Sequence, residues 1–199
     1  INRSDLGLLR ERARAVDARV GMVDGQLVFV PRRGGDSEPI ALSRASDLVR
    51  CEVCADLAHQ RTEVRVHGWS VRDKAGIHES SGTSDVQAEA EGGRLGGELL
   101  DAIGVDAIED HHVEMPVTGE EARQLAQSLM KGRARRFVVA RGTTDGTPSM
   151  RVASRVHLVN LGSWFDGIYH VCSVRHVWDQ MEGYRTHFVA ERPDLGRSA

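Results

Sequence analysis

Nine histidines and three cysteines carry most of the chemistry open to this 199-residue chain. Cys51-x-x-Cys54 has the spacing of half a zinc site or of a redox pair. The stretch around it, Leu48 to Leu57, reads as a strand, where residues three apart point to opposite faces. The two sulfurs then do not converge on one ion, and no second Cys pair completes a zinc ribbon. With Cys172 the set is odd and sparse, which argues against a disulfide framework. Buried thiols are the expectation.

His111-His112 precedes Val113-Glu114, but neighbours on a strand face opposite ways. His170 and His176 are expected on one face of a strand, yet about 20 Å apart along it, too far to share a metal. Cys172 is nearer His170, at about 7 Å, with no carboxylate beside them. His78-Glu79 lacks the second His of a metalloprotease helix, and Glu120-Glu121 is accounted for by helix capping. There is no G-x-S-x-G elbow, no G-x-G-x-x-G after a strand and no phosphate-binding loop. The residues therefore assign no catalytic, cofactor-binding or metal-ligating set. The basic run Lys131 to Arg136 could touch phosphate, but a solvated helix end or a contact to an acidic neighbour subunit is the readier reading. Aromatics are 5% of the chain and do not interleave with that run, so no nucleic-acid partner is expected.

The elements that would position these groups are legible from periodicity. Ser4 caps a first helix on which Leu6, Leu9, Ala13 and Val16 form the apolar stripe. A hairpin follows, Val20 to Val23 and Gln26 to Val30, about an Asp24-Gly25 turn. Arg32 to Glu38 is a polar loop. Strands are expected over Leu48 to Leu57 and Thr62 to Trp69, the second with strict alternation. Val71 to Gly76 turns, and a short strand begins at Ile77. Thr83 to Gly97, polar and Gly-rich, reads as a loop or mobile insert, and Glu98 to Ile103 as a short helix closed by Gly104. His111 to Val117 is extended. Thr118-Gly119-Glu120-Glu121 fits a capping box for a helix carrying Ala122, Leu125, Ala126, Leu129 and Met130, with Gly132 as its stop. Strands then fall at Arg135 to Arg141 and Val152 to Leu161, with a turn-rich loop at Thr143 to Pro148. A terminal hairpin spans Gly167 to Trp178 and Gly183 to Ala190.

Composition agrees with a folded soluble domain: 40% apolar, 28% charged, net charge −3. No apolar run is long enough to cross a bilayer and no leader pattern opens the chain, so a cytoplasmic origin is the default expectation. The chain opens at Ile1, which points to a trimmed piece of a longer protein. About eight strands, paired through short turns, and two good helices predict an α+β fold with antiparallel β-barrel-like domains. The regions expected are 1–110, a helix plus a partial barrel, and 111–199, a helix plus a C-terminal barrel. Edge strands in such folds must be closed or paired with a neighbour, which predicts assembly.

Several motifs, in order, resemble the phage late control gene D family, the central hub of contractile tails. Asn2-Arg3-Ser4-Asp5-Leu6-Gly7-Leu8-Leu9-Arg10 resembles the helix after its first barrel. Asp24-Gly25 with Leu27-Val28-Phe29 resembles the hairpin after that helix, and Thr62 to Trp69 a strand ending in Gly-Trp. The Glu120-Glu121-Ala122 helix and the terminal pair, Gly167-Ile168-Tyr169 through His176 and Gly183-Tyr184-Arg185-Thr186, complete the order. The resemblance implies a non-catalytic trimer that joins tail tube to spike in a phage tail or a related injection machine. It implies two barrel-like tube domains per subunit. Because this chain starts at the helix, most of the first barrel is expected to be missing. Implied partners are sister copies, tail tube and spike proteins, in a particle assembled from the cytoplasm. Two rivals remain open. One is a tail-associated hydrolase of cell wall or peptide using His111, His112, Glu114 or Cys172. The other is an adaptor that binds a toxin or carbohydrate through Thr83 to Gly97.

Overall fold

The computed structural model describes residues 4–32, 38–113 and 115–196; Glu114 and most of the polar loop expected after Arg32 lie outside them. In chain order the elements begin with α1 (Asp5–Ala15), β1 (Ala18–Val23), β2 (Gln26–Pro31), β3 (Ile40–Ser43), β4 (Leu48–Ala55), β5 (Glu63–Ser70) and β6 (Ala75–Gly82). Two 3-10 turns, β7 (Arg94–Leu95), α2 (Gly96–Ala102), β8 (Ile108–His111) and α3 (Gly119–Ala134) follow. The chain continues through β9 (Val138–Asp145), β10 (Arg155–Val159), β11 (Gly167–Asp179), β12 (Gly183–Arg192) and β13 (Asp194–Leu195).

The largest sheet has the order β3-β10-β11-β12-β9-β4. Its two outer strands, β3 and β4, are consecutive in sequence and joined by residues 44–47. A flat sheet of this width would hold its outer strands about 24 Å apart, whereas five peptide units span at most about 18 Å. The link is in fact a tight turn, with Asp47 N–H donating to the Ser43 carbonyl at 2.9 Å. The sheet must therefore curl so that its two edges approach each other at this turn, which gives the barrel-like form. Tyr169, Phe137, Met150, Leu158 and Phe188 fill it. A second layer is β6-β5-β8, with β5 antiparallel to β6 and parallel to β8. Its inner residues Val64, Val66 and Ile77 pack on Ala122, Leu125, Ala126 and Met130 of α3. Residues on both sides of position 110 share these layers. The architecture is α+β, mostly strands in curled sheets.

Local chemistry explains the well-placed elements. Asp24 and Gly25 have φ of 49° and 76°, the pair of positive values a two-residue hairpin turn needs. Ser4 Oγ accepts from Gly7 N–H, and Thr118 Oγ1 accepts from Glu121 N–H. The Glu121 carboxylate reaches back to Val117 N–H, one residue before the position of a regular capping box.

Several expectations need correction. The described residues hold thirteen strands rather than about eight, because short pairings such as β7 with β13 carry no sequence pattern of their own. β8 ends at His111, where the extended segment was expected to begin. A full eight-residue strand, β6, replaces the short one expected at Ile77. Gly132 does not stop α3, which continues to Ala134 because Met130 and Ala134 still have core to meet. β9 runs through Thr143 and Thr144, paired on both sides. On α1 only Ala13 is buried; Leu6, Leu9 and Val16 are exposed. Thr83 to Gly97 is no mobile insert, since Val86 and Leu95 are core residues and Glu89 is buried. Gly93 shows why it looked mobile. Its missing side chain lets the backbone pass Asp194, whose carboxylate accepts from the N–H groups of Glu91 and Gly93 at 3.2 and 2.9 Å. A Cβ at Gly93 would lie 2.2 Å from the Leu195 carbonyl oxygen.

Candidate functional site

Three places on the molecule could do something beyond folding. The first is the β1–β2 hairpin. Its register sets Met22 opposite Leu27 and Val20 opposite Phe29, on one face by strand alternation. On that face Met22 is 73%, Leu27 58% and Phe29 53% exposed. Among the described residues no third strand pairs with the hairpin. The helix packed beside β1 adds Leu6, Leu8 and Leu9, also exposed. Scattered exposed apolar residues are ordinary, whereas a ladder of large ones on a two-stranded ribbon is a candidate contact surface.

The second is a cavity of about 220 Å³ between α1, β1 and the middle of β11. Arg10, Arg14, Arg19, Arg32 and Arg135 line it, with Glu89 and Glu191. Arg32 donates to Glu191 at 2.7 Å, and Arg135 is held by Asp17 and Glu89. Those carboxylates, working against burial, keep the Arg135 guanidinium charged. The Arg19 Nε atom is buried with no hydrogen-bond partner among the described residues. Arginine holds its proton at any physiological pH, so these side chains favour an anion, while His170 and Cys172 line the same cavity beside Glu191.

The third is a histidine cluster on the outer face of the three-stranded layer. Val64 and Val66 point inward to α3, so His67 points outward. Arg65 pairs with Asp110 in register, and Asp110 with His112 two residues on share the outer side. His67 Nε2 lies 2.8 Å from Asp110 Oδ1, and His67 Nδ1 lies 2.8 Å from His78 Nδ1. The His67 and His112 rings stack with centroids 4.5 Å apart. The hydrogen bond from His67 holds the Asp110 carboxyl below its ordinary value. Sequence reasoning missed this group because a parallel pairing between β5 and β8 has no short-range signature. Asp110-x-His112, two like-facing ligand types, was the available signal.

Of the other candidates only His170 and Cys172 come together, both lining the cavity with Glu191, the carboxylate that the sequence did not place beside them. Cys51 packs against the barrel core, where burial pushes its thiol up, while Cys54 is exposed on the opposite face. Cys172 has an exposed edge but also lines the cavity, where burial pushes its thiol up, so of the three expected buried thiols only Cys54 is plainly exposed. Cys172 sits at a bulge between Val171 and Ser173. Tyr169 and Val171 before the bulge and Val174 after it all pack on the core, so the alternation changes phase there. His176 consequently shares the core side with Val174 and bonds Thr186 and the Met150 carbonyl, while His170 lies on the other face, contrary to the expectation of a common one. His111 lies on the side of Glu109, away from His112. The basic run is internally paired: Arg133 binds Glu109, Arg135 binds Asp17 and Glu89, and Arg136 bonds the Gly132 carbonyl. No described helix is long and apolar enough to cross a membrane.

No protein-family model and no curated protein matches this sequence. Solved structures do. A 43 kDa tail protein of prophage MuSo2 from Shewanella oneidensis superposes with TM-score 0.71 at 14% identity, over 97% of this chain and 56% of that one. A tail protein from Neisseria meningitidis MC58 gives 0.65 at 15% identity, over 94% and 54%. A chain in the virion of a native gene transfer agent particle gives 0.57 at 17% identity, over 91% and 37%. The chain thus spans about half the length of the two tail proteins. Over nearly its whole length it has the fold found in these tail and virion proteins.

Proposed function

We propose that this chain is a structural part of a phage tail or related injection particle, in the hub ring that joins tail tube to spike. The observation that carries the reading is the exposed ladder Met22, Leu27 and Phe29, on a chain whose fold matches tail proteins. A two-stranded ribbon is marginal alone in water and gains stability when a neighbour covers its apolar face. In the hub reading that neighbour is a sister copy, the ring is a trimer, and tube and spike proteins dock above and below it. Assembly would proceed from a cytoplasmic pool. The role requires contact surfaces and no turnover.

Neither rival gains support. Cys172 belongs to the barrel sheet and His112 follows a strand of the other layer, so the hydrolase reading lacks a common centre for them. The adaptor reading needs Thr83 to Gly97 as a free loop, and that segment is packed. The experiment is electron microscopy of particles from cells expressing the full-length protein with a bound label. Density for the label at the tube–spike junction supports the hub assignment. Label elsewhere on the particle, or a protein that never enters particles, overturns it.

A further inference from the structure

We propose that His67, Asp110 and His112 bind one divalent transition-metal ion of the zinc class, with His78 orienting His67 from behind. One ligand atom from each of the three lies within 4.8 Å of the others. Donors that share a tetrahedral zinc ion at about 2.0–2.2 Å sit about 3.3 Å apart, so modest side-chain rotation closes the site. Asp110 and His112 are exposed and can make that adjustment, while His67 is half-buried and held in place by its contacts.

The contacts already present match what a bound ion needs. At 2.8 Å, His67 Nε2 and Asp110 Oδ1 share one proton, and a metal replaces a proton between two such donors. The other nitrogen of a ligating histidine almost always donates to an acceptor that fixes the ring. Here His67 Nδ1 has His78 Nδ1 at 2.8 Å to accept that bond. Stacking on His67 holds the His112 ring alongside. Arg65 is the cation nearby that would oppose a second positive charge, and Glu63 pairs with it at 2.8 Å. Two imidazoles and one carboxylate suit zinc, nickel or cobalt, whereas magnesium and calcium prefer all-oxygen shells.

The ion would tie β5 to the segment that leads from β8 into α3. Three protein ligands leave a fourth position for water. This site stands apart from the proposed assembly role, since it lies on the three-stranded layer and the apolar ladder lies on the hairpin.

The test is calorimetric titration of the protein with Zn2+ alone, alongside the His112→Ala, Asp110→Asn and His78→Gln variants, with Mg2+ as the comparison ion. One equivalent of Zn2+ is expected, with no Mg2+ binding. His112→Ala and Asp110→Asn are each expected to weaken it by at least about tenfold, the smallest loss typical even of outer-shell partners. Co2+ is expected to give the intense visible bands of a tetrahedral ion in the parent protein and in His78→Gln, and to lose them in His112→Ala and Asp110→Asn. Melting without metal is expected to be the same for all four proteins, since the altered groups are exposed or edge positions. Absence of Zn2+ binding overturns the proposal. So does binding that His112→Ala and Asp110→Asn leave unchanged, which would place the ion on other histidines.

Discussion

The guanidinium of Arg135 makes two hydrogen bonds to the carboxylate of Glu89, at 2.6 and 2.7 Å, with both side chains buried. Asp17 holds the same guanidinium from the end of α1. One side chain thereby joins the end of α3 to the Thr83 to Gly97 segment and to the start of β1. Arg135→Met leaves Glu89 buried without its partner and is expected to cost about 3–5 kcal/mol. Adding Glu89→Leu removes the orphaned charge and should recover most of that. Urea midpoints of the single and double variants check it; a double variant no more stable than the single contradicts it.

Gly142 sits opposite Phe188 in the ladder between β9 and β12. A Cβ there would lie 2.3 Å from the Phe188 ring, whose atoms are held by the barrel core. Gly142→Ala is expected to destabilise by about 1–3 kcal/mol, as overpacking does. In a Phe188→Leu background the same change should cost clearly less. Thermal melts of the four proteins measure the coupling.

Glu109 is pushed up by partial burial, but hydrogen bonds and charge from Arg133 and Arg61 outweigh that and hold its carboxyl below the ordinary value near 4.5. A carboxylate whose folded pKa is depressed adds stability above its unfolded pKa and loses it as pH falls through the folded one. Glu109→Gln should therefore be less stable than the parent at neutral pH, with the difference shrinking from about pH 5 to about pH 3. Denaturant midpoints across that window check it; a constant gap contradicts it.

What was legible in the sequence follows the range of the signal. The Asp24-Gly25 hairpin and the Thr118 cap depend on residues within five positions, and both lie where periodicity and turn chemistry put them. The Thr83 to Gly97 segment misled because glycine is read as freedom, while Gly93 is there for a close approach to Asp194, 101 positions away. Burial of Glu89 is likewise decided by Arg135, 46 positions on. The phase of β11 turned on a single extra residue at the bulge, which no alternation rule anticipates. The α1 stripe was read correctly as apolar, yet its burial was assigned to the fold; Leu6 and Leu9 remain uncovered, as a contact surface would be.

The most direct test of the assembly account is incorporation of a full-length Leu27→Glu/Phe29→Glu double variant into purified tail particles. Both side chains are exposed, so the fold should stay within about 0.5 kcal/mol of the parent. The account predicts a folded protein missing from the particles. A variant that enters them as well as the parent does would contradict it.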